Sequence, residues 1–522
     1  MSDGKFSIGS MNRRRFLQTT GAATVMAGST LSLTGTAKAA PKRGGTLRVA
    51  KGHGQTTDTL DPGTWEHGFV IALGYGYCGY LTGVAPDGSV EPQLAESWEA
   101  DDEAKVWRFK LRPGTTFHSG KAVTPEDVIA SINFHRGEDS TSAAKPLLAA
   151  IDDITAEGDT VVFSLSSGSA DFPFTFTDYH LPIQPAKDGS VDWKSGDGAG
   201  PYKLTNFTPG VSATLTRNEN DWNSDRGFFD TIELLAIVDL NARTTALISG
   251  DVHVIDKLDL KTIGLMGRRP GLTIHEVAGN QHYTFAMSTN KDPYTDRNVR
   301  LALKHAVNRQ EMVDKILFGY GAVGNDHPIG QGQQFFNSEL EQRTYDPDKA
   351  KFYLKEAGLD SLSVTLSSAD AAFPGAVDAA VLFQQSAKDA GINLEINRVP
   401  NDGYWSDVWM KDPFTAVYWG GRPVEDAMFS TAYAKGVAWN DTFWDNDRFN
   451  ELLVTARAEL DPDKRRTMYY EMQAIVNEDG GVIIPMFANY VFATSNDIVV
   501  SDSMASNWDM DGERWMERWS FA

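Results

Sequence analysis

Residues 86–99 read Pro-Asp-Gly-Ser-Val-Glu-Pro-Gln-Leu-Ala-Glu-Ser-Trp-Glu, and residues 106–128 read Val-Trp-Arg-Phe-Lys-Leu-Arg-Pro-Gly-Thr-Thr-Phe-His-Ser-Gly-Lys-Ala-Val-Thr-Pro-Glu-Asp-Val. Val106 to Leu111 alternates apolar and charged residues, the period of a half-buried strand. With Phe117 and His118 it predicts a hairpin whose apolar positions enter the core. Thr124-Pro125-Glu126-Asp127 is a helix start: a hydroxyl cap, proline at the first helical position and an acid three residues on. Val128, Ile129 and Ile132 then share one face. Strand, hairpin and capped helix in one stretch set a mixed α/β expectation.

The same alternation runs outward from this stretch. Gly45 to Ala50, Val161 to Leu165 and Ser212 to Thr216 read as strands, with Gly200-Pro201-Tyr202 as punctuation. Asp296 to Leu317 reads as one long amphipathic helix, with Val299, Leu303, Ala306, Val307, Val313 and Ile316 at helical spacing. Asp346-Pro347 and Asp461-Pro462 each cap a further helix, because Asp accepts orphan amide protons and Pro presets φ. There is no low-complexity segment and no fixed-period repeat, so a solenoid is excluded.

The chain has 522 residues, 41% hydrophobic and 23% charged, which is ordinary for a globular protein of two to four domains. No run of eighteen apolar residues occurs; the most apolar late stretch, Gly481 to Thr494, is too short to span a bilayer and contains Pro485 and Asn489. One cysteine, Cys78, excludes an internal disulfide and any multi-thiolate metal site. A net charge of −22 argues against nucleic acid as a partner and against coating a membrane.

Near the N-terminus, Arg13-Arg14-Arg15-Phe16-Leu17 precedes a mildly apolar stretch, Gly21 to Leu33, and an Ala37-Lys38-Ala39 cleavage pattern. Adjacent arginines, a weak apolar region and Lys38 near the cut resemble a twin-arginine signal peptide over residues 1–39. Removing it takes away Lys5, Arg13, Arg14, Arg15, Lys38 and Asp3, leaving 43 basic and 69 acidic residues, a net of −26. A soluble, strongly acidic protein in the periplasm is expected, with no cysteine placed for a lipid anchor.

Enzyme signatures appear and fail. Gly74-Tyr75-Gly76-Tyr77-Cys78-Gly79 matches G-x-G-x-x-G, but no strand leads into it, so it reads as small residues on a packed helix. Gly114 to Lys121 has five residues between its glycines where a phosphate loop has four, and Ala122 replaces the hydroxyl. Ten histidines are scattered, with no pair at i, i+2 or i, i+4. Acid pairs such as Asp101-Asp102 are expected by chance among seventy acids. No catalytic constellation is legible, so the chain is expected not to be an enzyme and to need no cofactor or resident metal.

The segments at 86–99 and 106–128, followed in order by several others, closely resemble the extracellular solute-binding protein family 5, the peptide, dipeptide and nickel receptors of ABC importers. The others are Gly200-Pro201-Tyr202 with Arg217-Asn218 and Trp222, Ala246 to Val252, Val299 to Arg309, Tyr345 to Ala350 with Glu356 to Leu359, and a last helix around Asp463 to Glu478. The resemblance covers essentially the whole chain after residue 39. It implies a periplasmic binding protein-like, cluster C-type α/β fold: two α/β lobes joined at a hinge by two crossing strands, with an extra inserted domain. It also implies boundaries: 40–83, 200–286 and 485–522 in the first lobe, 84–199 inserted, and 287–484 in the second lobe. The implied function is capture of a peptide or peptide-like solute by a monomer, which delivers it to ABC permease subunits in the inner membrane.

Cleft residues are sought where aromatics and charges follow strands. Trp65 and His67 follow the first strand; Tyr404, Trp405 and Trp409 lie further on. Trp419 to Asp426 follow the strand Phe414 to Tyr418, and Trp439 comes next. Thirteen tryptophans exceed ordinary core needs and favour a stacking cleft. In peptide-binding relatives the segment resembling Trp419 to Asp426 has an acid three residues after the aromatic, pairing with the peptide α-amino group. Here that position is Arg422, a planar fork suited to a carboxylate, while Asp426 or Glu425 stands as a shifted replacement. Two alternatives stay open. One is a carboxylated amino-acid conjugate or opine-like ligand on Arg422. The other is a chelated nickel or haem ligand near His67, His282 and Arg422. An internal salt bridge from Arg422 to Glu425, Asp426 or another acid would leave peptide binding intact.

Overall fold

The computed structural model describes residues 41–400 and 404–522, and residues 1–39, read above as a signal peptide, lie outside them. One large mixed sheet organises the chain. Its strands run in the order Tyr202–Thr208, Ser212–Arg217, Thr231–Ala236, Thr46–Lys51, Val254–Ile255, Val482–Ser495, Leu272–Met287, Phe414–Trp419, Leu362–Ser368 and Ile392–Arg398. Gly321–Val323 pairs with Val482–Ser495 off this line. Thr46–Lys51 is parallel to both its neighbours, and Leu362–Ser368 to both of its own, whereas the central pairs are antiparallel.

Two strands are much longer than the rest, Leu272–Met287 with 16 residues and Val482–Ser495 with 14. They pair with each other through register shifts at Val277/Gln281 and Tyr283/Phe285, where bulges bend the sheet. They run from one half of the sheet to the other, as the family resemblance implies. Each half has its own core. Helix Gly68–Tyr77 and the C-terminal Trp515 and Trp519 cover the first half, against Leu47, Val49, Leu215 and Ile232. The second half buries Phe285, Leu303, Leu366 and Phe383 in one cluster, and Phe429, Tyr469 and Ile484 in another.

A separate antiparallel sheet of four strands has the order Ala95–Ala100, Val106–Leu111, Thr160–Leu165, Ile151–Glu157. Trp107, Phe109, Leu111 and Phe117 are buried in its core with Phe163 and Phe172, as the alternation at 106–111 predicts. Helix Pro125–Phe134 packs there, its start fixed by the Asp127 carboxylate, which accepts from the Thr124 amide and hydroxyl at 3.0 Å each.

One element differs from its expectation. Residues 296–317 form two helices, Arg297–His305 and Arg309–Ile316, and not one. The apolar spacing continues across the break, but Asn308 leaves the helical region and its side-chain oxygen caps the second helix by accepting from the Glu311 amide at 3.2 Å. Asp346 and Asp461 cap Pro347–Glu356 and Pro462–Asp479 as read from sequence.

The glycines at 74 and 76 are packing devices on a buried helix. A Cβ on Gly74 would stand 2.4 Å from Trp65 Cζ3, and one on Gly76 2.4 Å from Met516 Sδ. Trp65 is buried in the same core, so its ring has nowhere to retreat. Gly74→Ala is expected to destabilise the protein by about 1–3 kcal/mol through overpacking. A urea midpoint indistinguishable from that of the parent chain would contradict this packing.

Candidate functional site

A cavity of about 810 Å³ lies where the two long strands bend and the turns after three neighbouring strands converge. Gln281 and Tyr283 on one long strand, and Asn489 to Val491 on the other, form its floor. Because side chains alternate along a strand, Gln281 and Tyr283 facing the cavity turn His282 to the opposite face. There His282 is fully buried against Phe487, with ring centroids 5.2 Å apart, and burial pushes its pKa down to about 4.

One wall is the turn after Phe414–Trp419, comprising Trp419, Gly420, Gly421 and Arg422, backed by Trp409 and Trp439. Trp419 stands between the other two indoles, 6.4 Å from Trp409 and 6.2 Å from Trp439. Trp439 is half exposed, at 50%, so this wall reaches the cavity mouth. Arg422 Nη1 donates only to carbonyls of its own loop, Gly420 at 3.3 Å and Gly421 at 3.1 Å. No carboxylate among the described residues forms an ion pair with it. Asp426 is taken by Arg457 at 3.1 Å. Glu425 is buried, accepts from the Phe335 amide at 2.6 Å, and is pushed up to about 7 by burial. Burial also lowers the Arg422 pKa, with Tyr179 and Asp178 nearby offsetting part of that cost.

Another part of the lining is rich in paired charge. Lys51 is fully buried at the end of Thr46–Lys51; its Nζ lies 2.7 Å from Glu513 and 3.1 Å from Asp256. Burial works against the Lys51 charge, but Asp256, Glu513 and Asp509 hold its pKa above the ordinary lysine value. Asp256 also accepts from the Gly52 amide at 2.6 Å and lies 3.6 Å from Arg243. Burial pushes Asp509 and Glu513 upward, with Lys51 holding them back. Lys257 Nζ is 2.6 Å from His53 Nε2, and burial together with that cation pushes His53 down to about 4. His67 at the start of the first helix is anchored to Asp58 at 2.8 Å.

Of the residues singled out in the sequence, His67, Trp419, Arg422 and Trp439 line this cavity, as does Trp409. Trp65, His282, Tyr404 and Asp426 do not. Trp65 is in the core and donates to the Thr59 carbonyl at 3.0 Å. The Tyr404 hydroxyl donates to the buried Ala416 carbonyl at 2.7 Å. Asp426 sits in the first turn of helix Glu425–Ala432, pointed to Arg457 and Ser430. The side chain of Trp405 lies outside the described residues. His67 lines the cavity and His282 does not, so the two do not meet there. Among the described residues no group of three or more His, Cys, Asp or Glu is arranged to hold a metal ion.

Sequence reasoning missed Tyr283, Asp256, Lys257, Asn489 and the C-terminal Trp508, Asp509 and Glu513. Strand parity signals Gln281 and Tyr283 once their strand is known. Nothing local signals Asp509 and Glu513, since Glu513 meets Lys51 from 462 residues away.

A model of the family described as bacterial extracellular solute-binding proteins, family 5 Middle, matches residues 89–441. The chain is 26% identical over 427 residues to "Probable D,D-dipeptide-binding periplasmic protein DdpA" of Escherichia coli (strain K12), covering 78% of this chain and 81% of that one. Its fold matches that of HbpA2 from Haemophilus parasuis with a TM-score of 0.81 at 18% identity, covering 92% of this chain and all of the other. It matches the binding protein AgaA in complex with agropinic acid, from A. tumefacien R10, with a TM-score of 0.71 at 22% identity, covering 92% and 99%. Among the described residues no helix is long and apolar enough to cross a membrane.

Proposed function

Because the chain belongs to the bacterial extracellular solute-binding proteins of family 5, we propose that it is the periplasmic receptor of an ABC importer whose cargo is a small carboxylated solute, a peptide or a peptide-like amino-acid conjugate. The observation that carries the choice of cargo is Arg422, a guanidinium on the cavity wall with no ion pair to any described carboxylate. A planar fork of donors matches a carboxylate, and it repels the ammonium group that an acid at this position would attract. The tryptophan wall supplies rigid apolar area for the rest of the solute. A volume of about 810 Å³ lies within the range of small-molecule sites and suits a compound of a few residues. One relative is named for a D,D-dipeptide and one structural neighbour holds agropinic acid, which supports both forms of the cargo.

In this reading residues 40–83, 200–286 and 485–522 form one lobe, 287–484 the other, and 84–199 an inserted domain. Solute binding between the lobes draws them together about the two long strands, and the permease reads the closed form. Residues 1–39 direct export by the twin-arginine route and are removed. The protein works as a monomer and makes or breaks no bond in its cargo.

Thermal shift against two panels tests this: di- to pentapeptides, and carboxylated amino-acid conjugates including opines. A solute at a hundred times its Kd is expected to stabilise the protein by about 2.7 kcal/mol, a rise of several degrees. Mass spectrometry is expected to recover the solute unchanged. If peptides alone shift the melting temperature, the conjugate form of the reading falls. If neither panel does, the carboxylated cargo falls.

A further inference from the structure

We propose that the cargo is a zwitterion, with its protonated amine on Asp509 and its carboxylate on Arg422, two residues lining the one cavity. The carboxylate end rests on the reading of Arg422 above; the amine end stands on separate residues of the C-terminal segment.

Two opposite charges face one cavity, and neither forms an ion pair with a described residue. Arg422 is described above. The Asp509 carboxylate accepts only from the neighbouring Met510 amide, at 2.8 Å, and has no ion pair among the described residues. The cations near it are engaged elsewhere: Lys51 holds Asp256 and Glu513, and Lys257 turns to His53. One hydrogen bond leaves most of the acceptor capacity of that carboxylate unused. The other acids of the cavity are poorer candidates. Glu513 is spent on Lys51 and on the Trp515 indole at 3.2 Å, Asp256 on Lys51 and the Gly52 amide, and Glu66 is exposed to solvent.

The backbone beside Asp509 is unusual. Met510, Asp511, Gly512 and Glu513 have φ of 48°, 62°, 67° and 60°, a left-handed turn in which three residues are not glycine. A side chain on such a backbone is strained, so the surroundings must hold the turn in place. A second, fully buried carboxylate does so: Asp511 pairs with Arg518 at 2.7 Å and accepts from the Ala505 amide at 2.8 Å and the Ser501 hydroxyl at 3.0 Å. The turn thus fixes Asp509 at the cavity wall while Asp511 anchors it behind.

The probes are three matched pools: free dipeptides together with opine-type N-carboxyalkyl amino acids, the same compounds N-acetylated, and the same compounds as carboxamides. Titration calorimetry is run on the parent protein, Asp509→Asn and Arg422→Gln. The parent is expected to prefer the free pool over the N-acetyl pool by about thirtyfold or more. Asp509→Asn, with an unchanged melting curve, is expected to abolish that preference while keeping the preference for free carboxylates over carboxamides. Arg422→Gln is expected to do the reverse. Equal binding of free and N-acetyl pools by the parent overturns the amine site and leaves the Arg422 reading standing. That comparison needs no variant to fold. Equal weakening of both pools by Asp509→Asn also overturns it. If no compound with a free carboxylate binds at all, the Arg422 reading fails and the zwitterion with it.

Discussion

Arg422→Ala is expected to weaken binding of a carboxylated cargo by about 2–5 kcal/mol, roughly thirtyfold to several thousandfold. The size follows from what truncation leaves behind. With the guanidinium gone, a cargo carboxylate brought into the cavity loses its water and finds no donor of equal strength, so its desolvation is uncompensated. Nothing in the fold depends on this side chain in the same way. Its bonds are to two carbonyls of its own loop, and no described acid is left unpaired by its removal. The variant should therefore melt like the parent without cargo and differ only when cargo is added. Arg422→Lys should recover part of the loss, because a lysine keeps the charge and forfeits the two-pronged geometry. An Arg422→Ala protein that binds within threefold of the parent would remove this residue from the site.

The largest effect on stability is expected at Asp326. This carboxylate is fully buried, lies 2.6 Å from Arg309 and 2.9 Å from Arg343, and accepts from the Ile484 amide at 2.9 Å. Buried Lys304, close enough for the Asp326 charge to support its own, donates to the Val476 and Asn477 carbonyls at 3.1 and 2.8 Å, and burial pulls its pKa down to about 7. Asp326→Asn keeps the shape, and asparagine tolerates the φ of 54° found there, so the change isolates the charge. It leaves two guanidinium groups buried with too little compensation, and the expected loss is about 3–5 kcal/mol. For the half of the molecule that unfolds with it, that is a fall in Tm of roughly 6 °C or more.

The pH dependence has a fixed sign. Burial would raise the Asp326 pKa, but Arg309, Arg343 and Lys304 hold it below the ordinary aspartate value. A depressed folded pKa gives stability that is present above the unfolded value of about 3.9 and is lost as pH falls through the folded one. The gap between parent and Asp326→Asn should thus be present at neutral pH, grow somewhat below it because the Asp326 charge also supports Lys304, and close in strong acid. Urea unfolding at several pH values reads it, and a gap that persists unchanged in strong acid would contradict the assignment.

Local chemistry made much of this fold readable. The strand at Val106–Leu111 follows from alternation alone, and the helix starts at Pro125, Pro347 and Pro462 follow from an acid or hydroxyl placed before proline. The break at Asn308 did not show, because apolar residues keep helical spacing on both sides of it and the cap is a single side chain. Within the site, the Trp419 to Arg422 wall was readable because it is a short aromatic and charged turn at a strand end. His282 was misplaced by one residue of strand parity, since Gln281 and Tyr283 on either side face the cavity. Asp426 was credible from spacing, but Arg457, thirty-one residues on, claims it. Asp509 and Glu513 were beyond reach, because a left-handed turn and a long-range pairing with Lys51 bring them to the cavity.

The most direct measurement is a crystal structure of the protein with the panel compound that raises its melting temperature most. The account predicts a cargo carboxylate within about 2.7–2.9 Å of the Arg422 guanidinium, with the body of the cargo against Trp409, Trp419 and Trp439. A carboxylate bound elsewhere, with Arg422 turned to an acid of the protein, would contradict it.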